Sequence, residues 1–307
     1  MNLPTEKHAN GDARTTTREA DATGEARANV EGARLSNSNL PLVIGHRGAS
    51  AFAPENTLAA FERALADGAD GVEFDVRLAR DNVPVVIHDA TLRRTAGLDA
   101  PVASLSSSEL SAIAVGSWFN RRHPARAVAG YEHETIPTLA QVFATVAPRA
   151  RLLYVELKCE ALEVSALVER AVAEVRAQRL EGRVVIESFM LAAVAEAKRI
   201  APELRTSAAF ERRIGRPFRA PRTLLRQARA CRADELALAR SLVSRRMIEA
   251  AHACGLQTVV WTVDHPSWFR RAAALGLRAV ITNDPARMCA ARDEFQADLK
   301  EIRHGER

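Results

Sequence analysis

A chain of 307 residues, 47% hydrophobic and 26% charged, holds enough apolar side chains for one large core, and a single α/β barrel of roughly 250 residues fits that length as well as a two-domain split. Aromatic content of 5% argues against stacking platforms for single-stranded nucleic acid, while a net charge of +5 favours anionic ligands in a general way. Cys159, Cys231, Cys254 and Cys289 lie far apart without metal-ligand spacing, no stretch approaches the ~18 apolar residues of a membrane span, and no apolar core precedes a cleavage site. A disulfide framework, a zinc site, stable membrane insertion and secretion are thereby set aside, and the expected location is the reducing cytoplasm.

Met1–Asn39 is rich in Ala, Thr, Glu, Arg, Asn and Gly with almost no large apolar residue. Such a segment cannot bury enough surface to offset its ordering entropy and is expected to be disordered. A short strand at Leu40–Gly45 then delivers His46-Arg47-Gly48-Ala49-Ser50. Pro54-Glu55-Asn56-Thr57 opens an amphipathic helix with Leu58, Phe61 and Leu65 on its apolar face, ending near Asp67-Gly68. Next comes Gly71–Asp89, where two β-rich runs, Val72–Leu78 and Val83–Ile87, flank the polar turn Ala79–Asn82. Side chains alternate along a strand, so Glu73 and Asp75 share one face and Val72, Phe74 and Val76 the other. The first strand–helix–strand unit puts His46 and Glu73/Asp75 at the same ends of neighbouring parallel strands.

After His88-Asp89 the pattern breaks. Residues from about 90 to 135 hold turns, a helix candidate at Ser106–Ile113, Trp118 and the polar run Asn120–Glu134, and are expected to form an insertion at a barrel mouth. A helix follows from Ile136 to about Ala147. Strands are then expected at Leu152–Leu157, Val184–Glu187, Thr206–Ala209, Glu235–Ala239, Thr258–Val263 and Ala279–Thr282, with helices between them. This alternation implies a parallel sheet, and its length implies closure into a (β/α)8 TIM-like barrel over residues 40–290, with one strand candidate spare or in a hairpin. Residues 291–307 read as a charged tail, either helical or frayed.

Period two also puts Glu156 and Lys158 together, opposite Val155 and Leu157. Glu73, Asp75 and Glu156 are therefore candidates for an oxygen site suited to Mg²⁺ or Ca²⁺, the competing reading being that each carboxylate pairs with a nearby Arg or Lys. His46 and His88 follow strands that converge on one rim and are candidates for acid–base work. Arg47 and Lys158 supply fixed positive charge for an anion. Carboxylates, a metal and cations around two histidines suit phosphoryl-ester hydrolysis. For Trp261, ligand contact and core filling stand equal. Asn56 reads as a helix cap in preference to a ligand contact, His123 and His133 as solvated, and the arginine-rich run Glu211–Arg232 as a solvated helix face in preference to a membrane or nucleic-acid surface.

Taken in order, His46-Arg47-Gly48-Ala49, Pro54-Glu55-Asn56-Thr57, Glu73-Phe74-Asp75, His88-Asp89 and Glu156-Leu157-Lys158 resemble the glycerophosphodiester phosphodiesterases, from about Leu40 to Met288. The resemblance implies a (β/α)8 barrel with a small insertion after the second histidine. It also implies divalent-metal-dependent cleavage of small-molecule glycerophosphodiesters to sn-glycerol 3-phosphate and an alcohol. By position, Glu73, Asp75 and Glu156 look like metal ligands, His46 and His88 like the general acid–base pair, Arg47 and Lys158 like phosphate ligands, and Trp261 like a wall for the glycerol. Two departures leave substrate preference open: Asn120–Glu134 is longer and more basic than a compact member needs, and Thr282-Asn283-Asp284-Pro285 varies the usual acidic ending. A lysophospholipase D on the same framework would need an apolar groove at the mouth. A non-catalytic anion-binding barrel would not need the histidine pair. Oligomeric state is not legible.

Overall fold

The computed structural model describes residues 40–212 and 220–305; the expected disordered segment 1–39 and the 213–219 part of the arginine-rich run lie outside the described residues. Strands and helices alternate along the chain: β1 (Leu42–His46), α1 (Leu58–Ala66), β2 (Gly71–Leu78), β3 (Pro84–Val86), α2 (Arg93–Ala96), α3 (Ser107–Ser111), α4 (Ser117–Arg122) and α5 (Leu139–Val146). They continue as β4 (Leu152–Leu157), α6 (Val164–Ala177), β5 (Val184–Ser188), α7 (Leu191–Ile200), β6 (Arg205–Phe210) and α8 (Pro221–Ala230). The last are β7 (Glu235–Ala239), α9 (Arg245–Ala253), β8 (Gln257–Trp261), α10 (Ser267–Leu275), β9 (Ala279–Thr282) and α11 (Pro285–Gly305).

Eight of these strands form a parallel (β/α)8 barrel. The order is β1-β9-β8-β7-β6-β5-β4-β2, and β1 pairs with β2 to close the ring. The spare ninth strand is β3, which turns back antiparallel on β2 with Val76 opposite Val86. The turn Ala79–Asn82 thus makes a hairpin, and β3 carries the chain out of the barrel wall.

Alternation divides each barrel strand between two cores. Val72, Phe74, Val76, Leu153, Val155 and Leu157 face outward into one buried cluster with helix residues such as Phe61, Phe143, Val168 and Val172. Phe74 sits between Phe61 and Phe143, with ring centroids at 5.5 and 6.3 Å, an edge-rich packing that aromatic quadrupoles favour. The opposite faces contribute Ile44, Leu152, Tyr154, Val185, Val259, Ala279 and Ile281 to the barrel interior. At the end where the strands begin, that interior is closed by a polar plug. The Tyr154 hydroxyl donates to Glu235 Oε2 at 2.8 Å, Arg205 donates to Oε1 at 3.0 Å, and Arg278 lies 3.2 Å from the same oxygen.

Helix ends follow side-chain capping. Thr57 accepts from the Ala60 amide at the start of α1, and Ser106 and Thr138 make capping boxes with Glu109 and Gln141. Asn56 is therefore not the cap that the sequence reading made it. The stretch between β3 and α5 holds α2, α3, α4 and short 3-10 turns over a small core of its own, built from Ile87, Leu92, Val102, Leu110, Val115 and Ile136. At the other end, the tail expected from 291 is a continuation of α11. Phe295 and Leu299 are buried, and Phe295 meets Phe269 of α10 at 6.0 Å, so an apolar stripe extends the helix through the charged composition. No helix among the described residues is long and apolar enough to cross a membrane.

One backbone approach sets a sharp test. A Cβ added at Gly71 would stand 1.8 Å from the Leu152 carbonyl oxygen, within the β2–β4 ladder that pairs these two residues. Neither strand can give way without losing that register. Gly71→Ala is expected to lower the unfolding free energy by about 3 kcal/mol or more, measured by urea denaturation; a midpoint equal to that of the parent chain would contradict the packing described.

Candidate active site

Strand register assembles the polar cluster. His46 lies opposite Glu73 across β1–β2, and Asp75 opposite Glu156 across β2–β4. Each of these side chains points inward; His46 ends β1 with Glu73 level with it, and Asp75 and Glu156 lie further along, toward the end where the rim loops of a (β/α)8 barrel build sites. One oxygen from each of Glu73, Asp75 and Glu156 lies within 4.8 Å of the others, and all three residues are buried. Glu73 Oε1 has no hydrogen-bond donor, and Asp75 Oδ1 and Glu156 Oε1 meet only the Lys158 ammonium, at 3.1 and 2.6 Å. Buried carboxylate oxygens left open in this way are expensive. Three hard oxygen donors, one of them without a partner, fit a divalent cation of the Mg²⁺ or Ca²⁺ type.

Asp75 is the most tightly held member. The Arg47 guanidinium stands 3.0 Å from its Oδ2, and Asn56 donates its amide to the same oxygen at 2.8 Å while accepting from the Asp75 backbone N–H. Burial alone would raise its pKa, but Arg47 and Lys158 hold it well below the usual carboxylate range. Its neighbours go the other way. Burial, followed by the charge of Asp75, pushes Glu73 well up and Glu156 up to about 8. Both Arg47 and Asn56 adopt left-handed backbone, with φ of 53° and 60°, a conformation that costs a side-chain-bearing residue on the order of 1 kcal/mol or more. The Arg47 amide donates to Glu73 Oε2 at 3.1 Å and its carbonyl accepts from the Asn56 amide at 3.1 Å, so the strained turn is fixed from both sides.

The two histidines are anchored alike through Nδ1. His46 Nδ1 is 2.7 Å from Asn283 Oδ1, which also accepts from the Ser50 hydroxyl, while the Asn283 amide donates to Asp264 at 2.9 Å. With the amide group oriented by Asp264, Oδ1 can only accept, so His46 carries its proton on Nδ1 and turns a bare Nε2 inward, 3.9 Å from Glu73. Burial, then Arg47, lowers its pKa to about 4. His88 Nδ1 is 2.6 Å from Asp89 Oδ1. Its pKa is lowered by burial and by Arg47, against the opposing pull of Asp75 and Asp89.

Several residues of the site had no role in the sequence reading. Glu55 accepts from Arg47 at 2.9 Å and takes both terminal nitrogens of Arg94, at 2.7 and 2.9 Å, while Arg94 Nε donates to Asp89. Arg77 donates to the carbonyl of His88 at 2.8 Å and reaches that of Lys158 at 3.4 Å, tying two loops together. Glu55 was visible inside Pro54-Glu55-Asn56-Thr57 and Asn283 inside Thr282-Asn283-Asp284-Pro285, but nothing in the local pattern points to Arg94. Trp261 stands beside Phe189, ring centroids 5.4 Å apart, and the Lys158 ammonium lies 5.4 Å from the Phe189 ring centre. Trp261 therefore joins the cluster through Phe189 and Lys158. In front of His46 and Arg47 opens a cavity of about 740 Å³, whose walls include Glu55, Arg94, Trp118 and Asn283.

Comparison with known proteins points to one family. The profile of the glycerophosphoryl diester phosphodiesterase family matches residues 46–287. A glycerophosphodiester phosphodiesterase of Caldanaerobacter subterraneus is 30% identical over 244 residues, covering 80% of this chain and 94% of that one. Among solved structures, a phosphodiesterase of Oleispira antarctica in complex with the product sn-glycerol-3-phosphate superposes with a TM-score of 0.73 at 27% identity, covering 83% of this chain and 98% of that one. A glycerophosphodiester phosphodiesterase of Agrobacterium tumefaciens gives a TM-score of 0.67 at 28% identity, covering 82% and 100%.

The raised carboxylates make cation binding and stability depend on pH together. Glu156 titrates near 4.5 when unfolded and near 8 in the metal-free fold. Between those values the unfolded chain binds fewer protons, so metal-free stability falls as pH rises through this window. His46, lowered to about 4, acts in the opposite sense below pH 6.5, so the increment on adding metal is the cleaner readout. A cation that displaces those protons is expected to raise Tm by several degrees at pH 8 and by much less at pH 5. Thermal unfolding with and without Mg²⁺ or Ca²⁺ checks this; an increment independent of pH would count against a cation on these carboxylates.

Proposed function

The chain belongs to the glycerophosphoryl diester phosphodiesterase family, and from that premise we propose that it cleaves glycerophosphodiesters to sn-glycerol 3-phosphate and an alcohol with a divalent cation on Glu73, Asp75 and Glu156 and with His46 and His88 moving the protons. The observation that carries this reading is the join of an under-compensated carboxylate triad to two histidines, each fixed through Nδ1 and free at Nε2. The Oleispira enzyme, seen with sn-glycerol-3-phosphate, supports a small-molecule substrate of this class. Free thiols at Cys159, Cys231, Cys254 and Cys289 fit a cytoplasmic location.

A divalent cation on the triad supplies Lewis-acid stabilisation of charge on the phosphodiester oxygens. The remaining chemistry is assigned to the chain's own groups. Arg47 and Lys158, each already facing a carboxylate, present fixed positive charge to the phosphate. His46, neutral well below pH 7 and bare at Nε2, takes the proton from the attacking oxygen. His88, whose proton-bearing form is favoured by Asp89, returns a proton to the departing alcohol oxygen. Asn283 and Asp89 act through the histidines, as positioning residues. Phe189 and Trp261 offer an apolar wall on the Lys158 side, which suits the carbon face of glycerol.

The cavity walls disfavour a lysophospholipase D. Phe119, one of two large apolar residues near the middle of the insertion, is wholly buried, and Trp118 is the sole large apolar side chain on the cavity lining. An acyl chain would have to lie against arginines.

His46→Ala and His88→Ala are each expected to lower kcat by about 10²–10⁴-fold with the circular dichroism spectrum unchanged. Near-parent turnover of glycerophosphocholine in either variant would remove that histidine from the mechanism. Asp89→Asn withdraws the carboxylate that favours the His88 imidazolium, so the alkaline limb of the kcat/KM profile is expected to move to lower pH. A profile displaced upward, or not at all, would reverse the assignment of His88 as the acid.

A further inference from the structure

We propose that the preferred substrate carries a second phosphate or phosphodiester on its alcohol half, recognised by Arg121 and Arg122. This rests on the hydrolase reading above and names the substrate class for that site.

The cavity in front of His46 is lined by Arg47, Arg94, Arg121 and Arg122 against the carboxylates of Glu55 and Asp264. The first two guanidiniums are already matched. Arg47 faces Asp75 and Glu55, and Arg94 is held in a fork by Glu55 and again by Asp89. Arg121 and Arg122, by contrast, have no hydrogen bond or ion pair among the described residues. Both stand at the end of α4, whose Phe119 is wholly buried and packed against Tyr131 at 5.8 Å and His123 at 4.9 Å. An anchored turn of helix thus places two exposed, unpaired arginines at one wall of the cavity, within the basic stretch Asn120–Glu134.

The same wall is ill-suited to a cationic head group. A quaternary ammonium is recognised by open aromatic faces or a free carboxylate. The Trp118 ring already has the Arg94 guanidinium 5.6 Å from its centre, and Phe52, next to the cavity residue Ala51, has Arg126 at 4.5 Å and Arg63 at 5.5 Å. Asp264 is engaged by the Thr282 hydroxyl and by the backbone and side-chain amides of Asn283. Trp118 Nε1, a donor, is buried without an acceptor. Donors and cations in excess, with aromatic faces already covered, select an alcohol rich in anionic oxygen. The aromatic wall of Phe189 and Trp261 takes no part in lining this cavity, which leaves the glycerol and the alcohol on different sides of the reacting phosphate.

The test compares release of glycerol 3-phosphate from three diesters: glycerophosphocholine, glycerophosphoglycerol, and one whose alcohol is glycerol bearing a further phosphodiester. The expected kcat/KM ratio of the last to the first is at least about tenfold at low salt, shrinking as ionic strength screens the arginines. In the Arg121→Gln/Arg122→Gln double variant that ratio is expected to fall toward one, through KM. A ratio near or below one in the parent chain, or a ratio that the double variant and salt leave unchanged, overturns the proposal while the hydrolase reading stands. Failure to cleave any of the three overturns the hydrolase reading and this inference with it.

Discussion

Asp75 is the residue on which the rest of the site depends. A fully buried carboxylate is tolerated only when charge and hydrogen bonds are brought to it, and here Arg47, Lys158 and Asn56 all converge on its two oxygens. Bringing Arg47 and Asn56 there forces the β1–α1 loop through two left-handed residues. Arg47 also reaches Glu55, Glu55 holds Arg94, Arg94 holds Asp89, and Asp89 holds His88. One unbroken chain of charge pairs therefore runs from the strand interior out to the insertion and back to the second histidine. The insertion is clipped to the barrel by Arg94, and the orientation of His88 follows from the burial of Asp75.

This chain explains which parts of the molecule the sequence made legible. Strand faces are dictated by alternation, so Glu73, Asp75, Glu156 and Lys158 could be grouped from period two alone. Strand ends are marked by the apolar-to-polar change at His46 and His88. The barrel wall was legible for the same reason, since buried parallel strands read as short apolar runs between helices. What escaped is set by contacts distant in sequence. Arg94 meets Glu55 across 39 positions and His46 meets Asn283 across 237, and no local period encodes such a pairing. Asn56 was misassigned because a residue beside a helix start has two uses for an amide, and the neighbouring Thr57 already filled the cap. The choice between helix and frayed end after residue 290 was not legible for a related reason. Composition after residue 290 is charged, but Phe295 and Leu299, four apart, suffice to seat the helix.

The barrel holds buried carboxylates at each end, one at the floor and several at the mouth, and charge balance separates their roles. At the floor, the single carboxylate of Glu235 faces two guanidiniums and a phenol, and each oxygen has a partner. That arrangement has nothing left to offer a ligand and closes the interior. At the mouth, Glu73, Asp75 and Glu156 face two cations, and Arg47 is shared with Glu55. A fourth acid, Glu187, lies opposite Glu156 in the ladder and is pushed up to about 8 by burial and by Glu156, with Ser207 donating to it at 2.7 Å.

The shortage of positive charge at the mouth must be met by protons or by a cation. Without a cation the deficit favours protons on Glu73, whose carboxyl is pushed well up by burial and by Asp75, and on Glu156 and Glu187, each pushed up to about 8. A divalent ion can replace the first two of these without moving the backbone, because the ligands sit on adjacent strands whose register is fixed by the ladder. Identical residue types thus do different work at the two ends of one barrel. The floor is neutral by construction, whereas the mouth is left short of cation, and that deficit makes it a site.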